Sequence, residues 1–115
     1  MSADELCKIL GGAQFHFCNE RELQKGIAQW LTEAGVPFTR EVMLGPAERI
    51  DFLIEQVGIE VKVDGALSEV LRQLWRYAQR PEISALILVT RRTQHCILPD
   101  AINGKSLACV YLHSL

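Results

Sequence analysis

One hairpin-like segment limits the possible folds of this chain more than any other feature. Residues 49–65, RIDFLIEQVGIEVKVDG, are rich in isoleucine, valine, leucine and phenylalanine, yet they include Asp51, Glu60 and Lys62. Because side chains alternate along a strand, the apolar residues of GIEVKV point to one face and Glu60 and Lys62 to the other. If residues 56–57 form a two-residue turn, position 51 lies opposite 62 and position 53 opposite 60. The pattern therefore predicts a hairpin with two acids and a base on one face.

Helical patterns flank this hairpin in the sequence. Residues 19–34 repeat apolar residues at the spacing of one helical face, with Asn19 as a candidate N-cap and Gly35 as a candidate stop. Residues 66–79 show the same period and are followed by Pro81. We therefore expect one amphipathic helix before the hairpin region and one after it.

Further strands are predicted on both sides of the hairpin. Residues 38–44 are typical of a strand, and Gly45 with Pro46 and then Gly58 supply turn residues for an antiparallel meander. The apolar run 85–90, ALILVT, indicates a strand buried on both faces. Two shorter strand candidates follow, HCIL at 95–98 and ACVYL at 108–112. The predicted class is α/β, with an α-β-β-β-α-β core, a β extension and a mixed central sheet flanked by helices.

Length and composition indicate a single domain, residues 1–115, that folds by itself. No apolar run approaches the roughly 20 residues of a membrane helix, and the start MSADELCKIL lacks the features of a signal peptide. We therefore expect a cytoplasmic protein with no membrane partner. The thiols, which lack metal-ligand spacing, are predicted to be reduced and mostly buried: Cys7, Cys18, Cys96 and Cys109. The imidazoles are dispersed and are assigned no ligand or catalytic role: His16, His95 and His113.

The polar cluster of the hairpin has a specific chemical use. Two carboxylates brought together repel unless a proton or a cation lies between them, and hard oxygen ligands suit Mg²⁺ or Mn²⁺. With a metal held by Asp51 and Glu60, the ammonium of Lys62 could orient a water or stabilise charge on a phosphorus centre. The alternative is that Glu60 and Lys62 form a solvated salt bridge on an edge strand.

The chain resembles the PD-(D/E)XK nuclease superfamily over roughly residues 19 to 90. That family carries an acid on one strand and acid-any-lysine on the next, within a restriction-endonuclease-like core, and Asp51, Glu60 and Lys62 match this pattern. Ile50 stands where the motif has its proline, a residue that ligates nothing. The resemblance implies Mg²⁺ or Mn²⁺ held by the two acids and by the backbone carbonyl of Val61.

The resemblance also assigns roles to residues on the two helices. An acid on the first helix completes the metal site in many members, and we assign this role to Glu22, with Glu20 as the alternative. A glutamine on the second helix, sometimes followed by a tyrosine one turn later, projects toward the site or substrate, which implies catalytic and nucleic-acid-binding roles for Gln73 and Tyr77. Tyr77 and Trp75 could instead be core aromatics.

Basic residues on the second helix are candidates for contact with a phosphate backbone. Arg72, Arg76 and Arg80 recur at i, i+4 and i+8 and would form a stripe beside the apolar face. The net charge of −2 is unfavourable for binding nucleic acid, but it would be offset in part if acids hold divalent cations.

The function expected from the resemblance is metal-dependent endonuclease activity on DNA, including branched DNA. The chain is similar to small stand-alone members such as Holliday-junction resolvases and virus-type replication-repair nucleases, which implies structure-selective or non-specific cleavage by a homodimer. Two alternatives remain open. One is a non-catalytic nuclease-fold module for nucleic-acid binding or assembly, and the other is an enzyme whose partner supplies the targeting to DNA.

Overall fold

A computed structural model describes residues 1–112 of the chain. Over these residues the chain forms three α-helices, six strands and one short 3-10 helix. The helices are α1 (Ala3–Gly11), α2 (Glu20–Glu33) and α3 (Leu67–Ala78), and the 3-10 helix is Thr93–Cys96. The strands are β1 (Thr39–Gly45), β2 (Glu48–Ile54), β3 (Val57–Lys62), β4 (Ala85–Thr90), β5 (Ala101–Ile102) and β6 (Lys105–Tyr111).

All six strands belong to one mixed sheet in the order β1-β2-β3-β4-β6-β5. β1, β2 and β3 pair antiparallel, β4 and β6 continue the sheet in parallel from β3, and β5 returns antiparallel at the far edge. Every residue of β4 is buried, as its uninterrupted apolar run predicts. The α/β class, the mixed sheet and the helices on both sides of the meander are confirmed.

The helices cover both faces of the sheet and create two cores. α1 and α2 lie on one face, where Leu6 and Ile27 belong to the same hydrophobic cluster as Ile59 and Val61. α3 lies on the other face, where Leu74 and Tyr77 join a second cluster. Among the described residues, no helix has the length and apolar character required to cross a bilayer.

The N-terminal helix α1 is absent from the predicted element order. Its start satisfies a capping box, because the Ser2 hydroxyl accepts from the Glu5 N–H and the Glu5 carboxylate accepts from the Ser2 N–H. Leu6 and Leu10 then point into the core. The Ser-x-x-Glu pattern in the sequence is the local signal that indicates this helix.

The C-terminal part of the sheet differs from the prediction in one element. HCIL is not a strand, because His95 and Cys96 belong to a short 3-10 helix and the His95 ring is bonded to Thr90 and to the distant Gly65 carbonyl. ACVYL does lie largely in β6, which pairs with β5 through a two-residue turn at Asn103 and Gly104. Both turn residues have positive φ, 49° and 74°, as a type I′ hairpin requires.

The expectation for the thiols is wrong in part. All four are free, but Cys18 and Cys96 are exposed, and Cys7 and Cys109 are only partly buried. Of the histidines, His16 is exposed and His95 is buried, whereas His113 lies outside the described residues.

Candidate functional site

The predicted acid, acid and base meet where β2 and β3 separate. The paired part of these strands begins with Ile54 opposite Val57, next to the turn, and ends with Phe52 opposite Ile59. Beyond it, the Asp51 N–H donates to Glu60 Oε1 at 3.3 Å. Side-chain bonds thus replace the backbone ladder at this point.

The turn of the hairpin is two residues long, as predicted, but it lies one position earlier, at Glu55 and Gln56. Leu53 consequently pairs with Gly58, and position 51 comes opposite 60 rather than 62. This difference of two residues in register preserves the face of every side chain, so the cluster still assembles. Gly58 lies inside β3 and not in the turn, and a Cβ at this position would collide with the side chains of Ile50 and Ile83.

A local irregularity in two strands explains how Asp51 reaches its partners. Ile50 contributes to the core under α3, whereas Phe52, two residues later, contributes to the opposite core. The neighbouring strand β1 is irregular at the same level, because Glu41, which lies between the residues paired with Phe52 and Ile50, has a φ of 52°. Because the regular alternation breaks here, the Asp51 carboxylate can turn along the sheet and accept the Val61 N–H at 2.8 Å.

Glu60 is the most deeply buried charged side chain of the site, with 2% relative exposure. Its burial, reinforced by the neighbouring Asp51 carboxylate, raises its pKa to about 8. Burial also raises the pKa of Asp51. Lys62 Nζ lies 3.5 Å from Glu60 Oε2 and opposes the shift in the pKa of Glu60 without cancelling it. The Asp51 and Glu60 carboxyl groups can therefore share one proton at neutral pH or bind a cation between them.

A tyrosine and a glutamine from α3 form the floor of the cluster. The Tyr77 hydroxyl lies 2.8 Å from the Arg49 carbonyl and 3.2 Å from Glu60 Oε2, and it accepts a bond from Gln73 Nε2 at 2.8 Å. Burial is the main reason that the pKa of Tyr77 is raised, so the hydroxyl stays protonated and can donate. Its one proton is shared between two acceptors, of which the Arg49 carbonyl is the nearer.

The side chain of Tyr77, which the resemblance assigns to nucleic-acid binding, is fully buried in this structure. Tyr77 instead fixes Glu60 from inside the protein. The alternative that both aromatic residues of α3 belong to the core holds for Tyr77 only, since Trp75 is 53% exposed.

Of the two candidate acids on α2, Glu20 lies beside the polar cluster and Glu22 is turned away from it. Glu22 is the third residue of the helix, and its carboxylate turns back to accept the Cys18 N–H at 2.7 Å. Glu20 reaches across to β3 and accepts the Val63 N–H at 3.3 Å. Burial raises the pKa of Glu20, and the charge of Lys62 opposes this shift. The orientation of Glu22 is typical of helix capping, which engages a glutamate three residues after the N-cap.

A groove with basic side chains opens beside the cluster. It has a volume of about 380 Å³ and is formed by the end of β3, the following loop and the first turns of α3. Its lining residues are Lys62, Asp64, Gly65, Glu69, Val70, Arg72, Gln73 and Arg76. Lys62 and Gln73 therefore belong both to the polar cluster and to the groove.

Arg80 does not extend the basic stripe as predicted. α3 ends at Ala78, so the helical spacing from Arg72 and Arg76 no longer applies at this position. The guanidinium of Arg80 is instead paired with the Glu48 carboxylate, and its side chain is 31% exposed.

The loop that forms one wall of the groove is held in place by residues for which the sequence alone indicates no role. Asp64 pairs with Arg92 at 2.6 Å and with Arg91 at 3.6 Å. The buried His95 ring lies 2.7 Å from the Gly65 carbonyl and 2.9 Å from the Thr90 hydroxyl. These contacts depend on the parallel pairing of β3 with β4, which brings the two strand ends together.

The donor atoms of the cluster fit a small divalent cation that keeps several waters. Within residues 1–112, no group of three or more His, Cys, Asp or Glu side chains is arranged to hold a metal. Mg²⁺, however, is commonly bound through only one or two carboxylates, with water or phosphate oxygens completing its octahedron. Asp51 and Glu60 meet that requirement. The Val61 N–H points toward β2, where it donates to the Asp51 carboxylate. Because the N–H and C=O of one strand residue point to the same side, the Val61 carbonyl also faces β2, beyond the last paired residues of the two strands.

Comparison of this chain with protein-family models, with curated proteins and with solved structures gives no match.

Proposed function

We propose that this chain is a divalent-metal-dependent endonuclease that hydrolyses phosphodiester bonds in DNA, structure-selectively or without sequence preference. The observation that carries the proposal is the pair of the partly buried Asp51 and the buried Glu60, with Lys62 beside it, which opens on a groove lined by Arg72 and Arg76. The run α2-β1-β2-β3-α3-β4, with β3 and β4 parallel, supports a restriction-endonuclease-like core.

Asp51, Glu60 and the Val61 carbonyl would hold the cation, with Glu20 as a further acid at the rim. When bound, Mg²⁺ or Mn²⁺ supplies Lewis-acid stabilisation of the phosphate oxygens and lowers the pKa of a coordinated water. The Tyr77 hydroxyl and the Asp51 N–H both donate hydrogen bonds to the Glu60 carboxylate and so fix its orientation. Gln73 fixes the Tyr77 hydroxyl in turn.

Lys62 would act on the phosphate or on the attacking water. Its side chain is 23% exposed, so the ammonium reaches the groove while remaining 3.5 Å from Glu60 Oε2. A fixed positive charge at this place stabilises negative charge as it develops on phosphate oxygens. An alanine at this position would remove the charge and leave the two acids in place.

Arg72 and Arg76 would bind phosphates on either side of the reacting bond. Both are exposed on consecutive turns of α3. Within residues 1–112, the salt bridges include neither of these two arginines. Contacts with phosphates release counterions, so the affinity for DNA should fall steeply as salt rises. This local positive charge offsets the net charge of −2 of the whole chain.

The test is cleavage of labelled linear duplex, single-stranded, flapped and four-way-junction DNAs with Mg²⁺ or Mn²⁺. Lys62→Ala and Asp51→Asn should abolish cleavage, whereas the matched surface variants Lys25→Ala and Asp100→Asn should retain it. Circular dichroism and thermal unfolding would show that each variant is folded.

Metal-dependent cutting that both site variants lose would support the proposal, and the preferred substrate would define the selectivity. If folded wild-type protein cuts none of these DNAs and binds no divalent ion, the proposal is wrong. Salt-dependent DNA binding without cleavage would then favour a non-catalytic binding module.

A further inference from the structure

Two free thiols lie in direct contact at the far side of the 3-10 helix. Cys96 is the last residue of that helix and Cys109 lies in β6, and their Sγ atoms are 3.1 Å apart. A disulfide bond is roughly 2.05 Å long, so the sulfurs need to approach by only about 1 Å to form one. The elements that carry them already pack together, since each thiol also lies 3.9 Å from a backbone carbonyl of the segment 92–95.

The two thiols differ in their access to solvent. Cys96 is exposed, so a small oxidant reaches it from the solvent. Cys109 is partly buried and donates its S–H to the Cys96 sulfur. Burial, followed by this hydrogen bond, raises the pKa of Cys109, which therefore remains a thiol at neutral pH. The arrangement thus combines an accessible sulfur with a protected one directly behind it.

We propose that Cys96 and Cys109 are an oxidisable dithiol that forms a reversible intramolecular disulfide when the protein meets hydrogen peroxide. The Cys96 sulfur attacks one peroxide oxygen, the O–O bond breaks, and a sulfenic acid and water are formed. The Cys109 sulfur then attacks the Cys96 sulfur, the S–O bond breaks, and the hydroxyl leaves with the Cys109 proton as a second water. The two thiols lose two electrons and the peroxide gains them. A dithiol reductant restores both thiols by exchange.

The disulfide would fix the segment that supports the groove. His95 precedes Cys96, and its ring is bonded to the Gly65 carbonyl and to Thr90. A covalent link from Cys96 to β6 closes a loop around the Asn103 and Gly104 turn and limits the motion of the 3-10 helix. We expect slower backbone hydrogen exchange in residues 91–96 of the oxidised protein.

The experiment is treatment of the full chain with hydrogen peroxide, followed by intact mass measurement and peptide mapping without reductant. The expected result is a loss of about 2 Da per chain, corresponding to two hydrogens, with a single cross-linked pair of peptides that contain Cys96 and Cys109. Dithiothreitol should restore the original mass. A Cys7→Ser/Cys18→Ser double variant is the matched control and should show the same loss.

Single variants separate the roles of the two sulfurs. Cys109→Ser should leave the Cys96 sulfenic acid without a partner, where dimedone traps it, whereas Cys96→Ser should leave Cys109 unmodified at the same peroxide dose. Bridge formation in the wild type should accelerate as pH rises, because the thiolate, not the thiol, is the form of a cysteine that attacks the peroxide. Oxidation of wild-type Cys96 to sulfinic acid while Cys109 stays free, or a bridge that includes Cys7 or Cys18, would overturn the proposal.

Discussion

Glu60→Gln should stabilise the metal-free protein, and the gain should increase with pH. The side chain is 2% exposed, and burial raises its pKa from the ordinary value of 4.5 to about 8. A carboxyl with a raised pKa in the folded state keeps its proton while the unfolded chain has already lost it. The free energy of unfolding therefore falls as pH rises from about 4.5, and the fall ends above the folded pKa. Glutamine has nearly the same shape and carries no titratable proton, so the variant escapes this loss.

The expected magnitude follows from the two pKa values. One pKa unit corresponds to about 1.4 kcal/mol, so the interval from 4.5 to about 8 corresponds to about 5 kcal/mol at its limit. Between pH 5 and pH 8, this loss in the wild type amounts to about 3 kcal/mol. Asp51 shares the proton with Glu60 and contributes a loss in the same direction, because burial raises its pKa as well.

Urea unfolding at several pH values between 5 and 8, with chelator to remove divalent ions, measures the effect. The difference in unfolding free energy between Glu60→Gln and wild type should widen by about 3 kcal/mol over this range. Glu82→Gln removes an exposed carboxylate and is the matched control, for which the difference should stay constant. Parallel curves for Glu60→Gln and wild type would refute the reasoning that burial dominates the titration of Glu60.

Three further results are expected. Tyr77→Phe should cost roughly 1–2 kcal/mol in urea unfolding, because the buried Glu60 carboxyl group and the Arg49 carbonyl lose a hydrogen-bond donor. Gly58→Ala should cost roughly 1–3 kcal/mol in the same assay, because its Cβ would collide with the buried side chains of Ile50 and Ile83, whereas Gly11→Ala, with no atom within 4 Å of its Cβ, should cost nothing. Mg²⁺ should raise the melting temperature of the wild type at pH 8, and equal shifts for Glu60→Gln would contradict a metal held by that carboxylate.

The polar cluster can be predicted from the sequence because strand periodicity tolerates a shift of the turn by one residue. The sequence pattern places the turn of the β2–β3 hairpin one residue later than the structure does, which changes the partner of Asp51 but keeps it beside Glu60. The break in alternation at Asp51 and Glu41 could not be predicted. The break arises because Ile50 and Phe52 pack in different hydrophobic cores, and the helices that form these cores are distant in the sequence.

Local signals and long-range contacts account for the other differences. The pattern from Asn19 to Glu22 is a capping pattern, so the sequence already indicates that Glu22 bonds to the start of its own helix. The Asn103 and Gly104 pair likewise indicates the last hairpin. By contrast, the burial of Tyr77 under Glu60 and the pairing of Arg80 with Glu48 depend on how α3 crosses the sheet, and no local pattern encodes them.

The outer strands of the sheet have a consequence for self-association. β1, at one edge, is irregular at Glu41 and carries exposed charged residues at positions 40 and 41, while β5, at the other edge, is only two residues long. A flat, long and apolar edge would invite strand addition from another molecule, and bulges, charges and short strands discourage it. Both ends of this sheet are therefore poor templates for intermolecular β-pairing. We therefore expect a homodimer of this chain to join helix or loop surfaces rather than to extend the sheet through β1 or β5.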